Sequence, residues 1–380
     1  MSVQDGRIAL ADGMSYHVLV LPNAQPMPLA DLRKIAALVE GGATIVGAPP
    51  TGISGMILNP YDRARFNALV ARLWSGLDGK RATQKQVGAG HVIWGKTVRQ
   101  ALQEEGIPPD FEETGCSDAG TIDWIHRTSD NFDIYYVVSR WENPEKIECT
   151  FRVSGKQPEL WDPVTGEIRD ATAFRQENGR TIVPLEFGTY GSVFVVFRKS
   201  IAADASGTTA SNYPATQMLT TLSGPWTVNF DPKWGGPARA VFDKLIDWTN
   251  SPDDGIKYYS GTAVYHKKFN LGALPAPGRR LILDLGEVHE VASVRLNGRD
   301  LGILWMKPMR VDITDAVREK NNNLEVTVVN LWPNRLKEDE SLPKEKRLTE
   351  TNIHKFTAAS PLLPSGLVGP VSVLAQESPQ

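Results

Sequence analysis

The chain has 380 residues, 41% of them apolar and 22% charged, with a net charge of −3. The length suits two or three domains, each with its own core, and the charge is too small for the basic patch that nucleic acid or an anionic membrane surface requires. Its two cysteines, Cys116 and Cys149, make neither a disulfide framework nor a Cys-x-x-Cys pair, no apolar run reaches bilayer-spanning length, and the start MSVQDGRIALADGMSYH lacks the basic and apolar stretches of a signal peptide.

Residues 1–115 alternate strand and helix. YHVLVLP (Tyr16 to Pro22) is a continuous apolar run, expected as a strand buried on both faces. Leu29, Leu32, Ile35, Ala36 and Val39 share a helical face that Gly41-Gly42 ends. ATIVG (Ala43 to Gly47) is the next strand, Phe66, Leu69, Val70 and Leu73 mark a second helix, HVIWG (His91 to Gly95) is a third strand, and Thr97 opens a short helix. This is a parallel α/β layer, and three strands make it a partial flavodoxin-like domain, incomplete at its N-terminus. The loops Pro22-Asn23-Ala24 and Gly47-Ala48-Pro49-Pro50 match no nucleotide-binding pattern, so the layer is read as structural.

Residues 116–199 are all-β and form a small sandwich. In IECTFRV, Ile147, Cys149, Phe151 and Val153 share one face, which makes Cys149 a core residue rather than a nucleophile. Residues 200–217, SIAADASGTTASNYPATQ, have the composition of a flexible linker. Residues 218–380 form a larger β-domain with antiparallel signals, read as a two-sheet jelly roll. Trp226, Val228 and Phe230 alternate in its first strand, and VRLNGRDLGILW (Val294 to Trp305) is a hairpin turning at Asn297-Gly298. Alternation puts Leu301, Ile303 and Trp305 on one face, with Leu301 and Ile303 in the core and Trp305 at the rim.

Four stretches in this order, GPWTVNFDPKWGGP, DWTNSPDDGIKYYSGTAVYHKKF, LDLGEVHEVASVRLNGRDLGILWMKPMRVDIT and LEVTVVNLWPNRL, resemble the sugar-binding, galactose-binding-like jelly roll of family 2 glycoside hydrolases. They are more closely similar to the C-terminal part of glycoside hydrolase family 106, the α-L-rhamnosidase-like proteins. DGMSYHVLVLP, LVEGGATIVG, GIPPDFE, DWIHRTSDNFDIYYVVSR and FRVSGKQPELWDPVTGEI resemble stretches that precede the jelly roll in that family. The resemblance covers the chain from about Asp5 to Val373. It implies hydrolysis of a terminal rhamnosidic bond by the parent protein, a rhamnose-containing glycan as partner, and a periplasmic or secreted location. It also implies that a catalytic (β/α)-barrel, missing from these residues or separately encoded, carries the two carboxylates that a glycosidase sets roughly 5 to 9.5 Å apart. No position here matches that barrel, so no residue is assigned a catalytic role.

The chain's own acidic pairs, Glu287 with Glu290 and Asp243 with Asp247, read as surface carboxylates. The histidines show no zinc-binding spacing, and no cofactor is expected. Jelly rolls of this kind often hold a structural calcium on loop oxygens, for which Asp253, Asp254 and Asp300 are candidate donors. LWPNRLKEDE brings Trp332, Asn334 and Arg335 just past a strand that Pro333 breaks, and NIHKFTAASPLLPSG puts His354 and Phe356 in a long loop. An aromatic face beside an amide and a guanidinium suits a sugar ring, so Trp305, Trp332, Asn334, Arg335, His354 and Phe356 are the candidate carbohydrate-binding residues. The alternative, that these loops pack against the barrel, stays open. The chain is thus expected to be the accessory part of an α-L-rhamnosidase-like hydrolase. A free-standing carbohydrate-binding or scaffold protein, and a glycosidase with its site inside these residues, are the other readings.

Overall fold

Strands and helices alternate through the first hundred residues, and β-hairpins take over after them. The computed structural model describes residues 1–55, 59–118, 120–272, 274, 278–352 and 355–377, and the chain divides into two units, Met1–Glu112 and Glu113–Gln380.

In the first unit, strands Val18–Val20, Thr44–Val46 and Gly90–Ile93 lie parallel and in that order, and Gln84–Val87 pairs antiparallel with the last. Thr44–Val46 is buried throughout, as a central parallel strand must be. Val18–Val20 is instead an edge strand with Val20 50% exposed, which corrects the expectation of burial on both faces. Leu29–Glu40 buries the five residues on its expected stripe, and Asp62–Trp74 adds Phe66, Leu73 and Trp74 to the same core. Gly47 is required where strand and loop cross, because a Cβ there would lie 2.6 Å from Leu21 Cβ. The first residues form a three-stranded antiparallel ribbon, Ser2–Gln4, Arg7–Ala9 and Ser15–Tyr16, turning at Asp5-Gly6 with both φ positive. Its strands are too short to show alternation.

The second unit begins with two antiparallel sheets of five and four strands. Tyr135, Phe151 and Phe197 fill the space between them, with ring centroids 4.9 to 6.2 Å apart. Cys149 is fully buried among them, and burial pushes its thiol well above the usual range, so it is a packed core residue. The connector expected at 200–217 is not free. Ile201, Gly207, Thr208 and Thr209 donate backbone hydrogen bonds to the sandwich, and buried Asn212 bonds both backbone atoms of Ala173. Small polar residues allow this close strapping as readily as they allow flexibility, and composition does not separate the two.

Strands after 216 form a four-stranded sheet, a six-stranded sheet and a two-stranded pair around one large core. Trp226, Val228 and Phe230 face that core as expected. Trp248 and Tyr265 lie at its centre, with the Trp248 indole N–H donating to the Tyr265 hydroxyl at 2.6 Å and the Leu367 amide donating to the same oxygen at 3.1 Å. Burial pushes the Tyr265 phenol far up, so it stays neutral. Tyr265→Phe would leave two buried donors without an acceptor. It should cost about 1–3 kcal/mol for each orphaned group in urea unfolding, and a variant as stable as the parent would show that both donors find other partners.

Candidate functional site

The six-stranded sheet runs in space as Ala240–Phe242, Trp226–Phe230, Thr262–Phe269, Asn322–Val329, Val291–Leu296 and Arg299–Leu304. Its registers align Phe230 with Ala263, Thr262 with Val329, Val329 with Val291, and Ala292 with Leu304. One end of the sheet therefore gathers five segments: Asp231–Trp234, Ser260-Gly261, His289-Glu290, Trp305 and Asn330–Trp332. Gly366 joins them by pairing with His289.

Side-chain amides and hydroxyls bind these segments together. Asn330 accepts from the Gly261 amide at 2.9 Å and donates to the Tyr259 carbonyl at 2.8 Å and to Ser365 Oγ at 3.1 Å. Asn334 donates to Ser365 Oγ at 3.0 Å and to the Leu363 carbonyl at 2.7 Å, and accepts from the Leu363 amide at 2.8 Å. Pro333 starts the helix Pro333–Ser341, where its missing N–H costs nothing. The Trp332 carbonyl accepts from the amides of Arg335 and Leu336 and from Ser260 Oγ. Trp332 is thereby fixed by its backbone while its ring stays 54% exposed.

The hairpin forms as expected, with Asn297 at φ 54° and Gly298 at φ 87°. The strand after it departs from simple alternation. The register slips between Ser293 and Arg295, Gly302 adopts φ 96°, and its amide donates to Asp300 Oδ1 at 2.9 Å. This bulge shifts the phase of the strand. Leu301 and Leu304 pack against the core, whereas Ile303, expected inside, is 65% exposed. Trp305 is 60% exposed at the rim.

Asn334 and Arg335 are placed differently from the expectation of a ligand-facing pair. They are 1% and 3% exposed, and their polar atoms are committed within the domain. The Arg335 guanidinium donates to Asp339 Oδ1 at 3.1 and 3.0 Å and to Glu338. Asp339 Oδ2 accepts from the Thr349 amide and hydroxyl at 2.8 and 2.5 Å. Burial pushes the Glu338 carboxyl above its usual range, against the pull of Arg335. Phe356 is half-buried beside Lys355 Nζ, 5.9 Å from its ring centroid, and His354 lies outside the described residues. Sequence reasoning passed over Trp234. It follows a strand in FDPKWGG much as Trp332 does in NLWPN, and its ring meets Trp332 edge to face, with centroids 5.6 Å apart at 80°.

The acidic pairs do not face each other across a cleft. Asp247 Oδ1 accepts from the Thr249 and Ser365 amides, and Asp243 is exposed. Glu287 and Glu290 flank His289 at 3.1 and 3.9 Å. Asp253 caps Gly255, and Asp300 holds the bulge. Among the described residues, no three His, Cys, Asp or Glu side chains converge as a metal site.

Residues 1–176 match the family described as alpha-L-rhamnosidase, glycoside hydrolase family 106. The solved structure of a rhamnosidase from Novosphingobium sp. PP1Y matches 98% of the chain at 39% identity and a TM-score of 0.86, while the chain spans 35% of that protein's length. A Formosa agariphila protein provisionally named as a β-glucuronidase is 36% identical over 199 residues, 46% of this chain and 17% of its own length. Asp339→Ala would strand the buried Arg335 guanidinium and should cost about 3–5 kcal/mol in chemical denaturation; a loss under about 1 kcal/mol would mean that water or Glu338 takes over. By sequence over residues 1–176 and by structure over nearly all its length, the chain is similar to the α-L-rhamnosidase-like glycoside hydrolases of family 106.

Proposed function

We propose that these residues are the accessory, non-catalytic portion of an α-L-rhamnosidase-like glycoside hydrolase, which supports the catalytic barrel of the parent enzyme and binds carbohydrate at the sheet-end rim. One observation carries this reading: almost all of the chain corresponds to about a third of a rhamnosidase. In domain terms, 1–115 is a partial flavodoxin-like layer, 116–199 a small sandwich, and 218–380 a galactose-binding-like jelly roll, with 200–217 joining the last two. The parent reaction is cleavage of a terminal rhamnosidic bond. Its acid and second carboxylate must stand on opposite sides of that bond, and the described acidic groups at the rim are turned to backbone amides, to His289 or to Arg335.

Trp305 and Trp332 are the rim's sugar-stacking platforms, with Phe356 a third aromatic in the neighbouring loop. Asn334 and Arg335 act behind them, holding the Trp332 turn in place rather than touching a ligand. The last rungs under Trp305 and under the Asn330–Trp332 turn are two strands apart, about 10 Å at ordinary strand spacing, which suits two sugar units better than one.

The purified chain should show no turnover of an aryl α-L-rhamnoside above blank. Clear turnover would put a catalytic pair inside these residues and end the accessory reading. For the binding half, Trp305→Ala should leave the unfolding midpoint unchanged, because the ring is exposed, and weaken retention on a rhamnose-containing glycan several-fold, about the worth of one stacked ring. Retention equal to the parent's would remove Trp305 from the site.

A further inference from the structure

We infer that the strand Ile122–Thr128 is a self-association edge, on which a second copy of this chain pairs antiparallel about a twofold axis through Ile125. This goes beyond the carbohydrate-binding reading above and does not depend on it.

Ile122–Thr128 ends the five-stranded sheet of the sandwich. It has seven residues, whereas the other strands that end a sheet among the described residues have two to six. Proteins usually keep an exposed edge short, charged or kinked, because an open ladder recruits other strands. This one pairs with Asp133–Ser139 without a register shift, and its Trp124 and Ile125 side chains are exposed. Hydrogen bonds at the two ends set the phase of that ladder. The Arg140 amide donates to the Thr121 carbonyl at 2.8 Å, and the Ser129 amide donates to the Phe132 carbonyl at 2.9 Å. Alternation between those ends turns the backbone groups of Asp123, Ile125 and Arg127 toward Asp133–Ser139, and those of Ile122, Trp124, His126 and Thr128 toward the outer edge.

The sequence IDWIHRT is complementary to itself in one register. An axis through Ile125 sets Trp124 opposite the partner's His126 and Ile122 opposite the partner's Thr128, so the outward-facing residues exchange the hydrogen bonds. Asp123 then stands opposite the partner's Arg127, and Ile125 opposite the partner's Ile125. These are the non-hydrogen-bonded positions, where side chains come closest, with Cα atoms about 4.5 Å apart. Opposite charges facing across strands are favourable, and this register makes two such pairs. Moving the axis one residue either way sets Asp123 or Arg127 against Ile125 and loses both. Within one copy Asp123 also pairs with Arg140 at 2.7 Å, and a carboxylate has acceptor sites for both guanidinium groups. The His126 ring is braced before any partner arrives, stacked on Tyr135 with centroids 4.0 Å apart and 3.2 Å from Asp133 Oδ1. Pairing one seven-residue edge buries far less than a standard interface, so the dimer should be weak, with a Kd of about 10–100 µM.

The test is sedimentation velocity of the intact chain between about 1 and 500 µM, a range that brackets that affinity. The mass should rise from that of one copy toward that of two. Ile125→Lys places two like charges on the axis and should weaken association at least about tenfold, while the unfolding midpoint stays that of the parent because the side chain is exposed. Asp123→Arg and Arg127→Asp, each alone, should weaken it by a similar factor. An equimolar mixture of these two variants should recover the parent's affinity, because opposite charges then face each other again at both positions. A chain that stays single across the whole range would overturn the inference. Association undiminished by Ile125→Lys would place the contact on another face and overturn the edge. Loss in both charge variants without recovery on mixing would overturn the register.

Discussion

At the end of a β-sheet the backbone loses its regular partners, and something else must satisfy the amides and carbonyls of the turns packed there. In the C-terminal half of this chain that task falls to a few buried side chains. Asn330, Asn334 and Ser365 join three chain segments through hydrogen bonds of 2.7 to 3.1 Å. Arg335 and Asp339 extend the network to the loop at Thr349. A half-satisfied network of this kind would be worse than an apolar core. Here each amide uses both its oxygen and its nitrogen, and the turn after Val329 takes one shape. Trp332 owes its exposure to that: its backbone is held on the inside, and the ring has nowhere to go but out.

The same constraint explains why the polar residues expected at the rim's surface lie beneath it. In NLWPNRLKEDE the proline starts a helix at once, and the next two residues turn inward on its first turn. Asn334 and Arg335 thus fall on the buried side of a short helix, while the tryptophan before the proline stays outside. A proline after a strand reads as a break, and a break suggests a loop in which neighbours face the same way. Helical geometry separates them by roughly 100° per residue instead. Spacing alone did not show that a helix would begin there.

Other parts of the molecule were legible for clear reasons. Long stripes, such as Leu29 to Val39 and Ile147 to Phe151, are buried as their periods require. The Asn297-Gly298 turn could hardly be read otherwise, and both residues take the left-handed conformation that a tight hairpin demands. What escaped depended on context. Val18–Val20 has the composition of a central strand but lies at an edge. One glycine, Gly302, changes the phase of its strand and turns Ile303 outward. The segment after Ser200 has a linker's composition, yet it follows the sandwich closely enough for buried Asn212 to bond both atoms of the Ala173 backbone. Composition reports what a segment can tolerate; the neighbouring surface decides what it does.

These features bear on the accessory, carbohydrate-binding role proposed above. A recognition surface beside a catalytic domain is useful only if its geometry is independent of the ligand, because ordering flexible loops on binding would consume the small free energy that a few stacked rings provide. The rim meets that requirement by an indirect route. On the proposed reading its contact residues are aromatic, exposed and simple, while charge and hydrogen bonding are kept underneath, at Arg335 and Asn334. On that reading, a change at the surface would alter ligand binding, and a change below would alter whether the surface exists. Trp332 and Asp339 fall on opposite sides of that division although they belong to the same short helix and its cap.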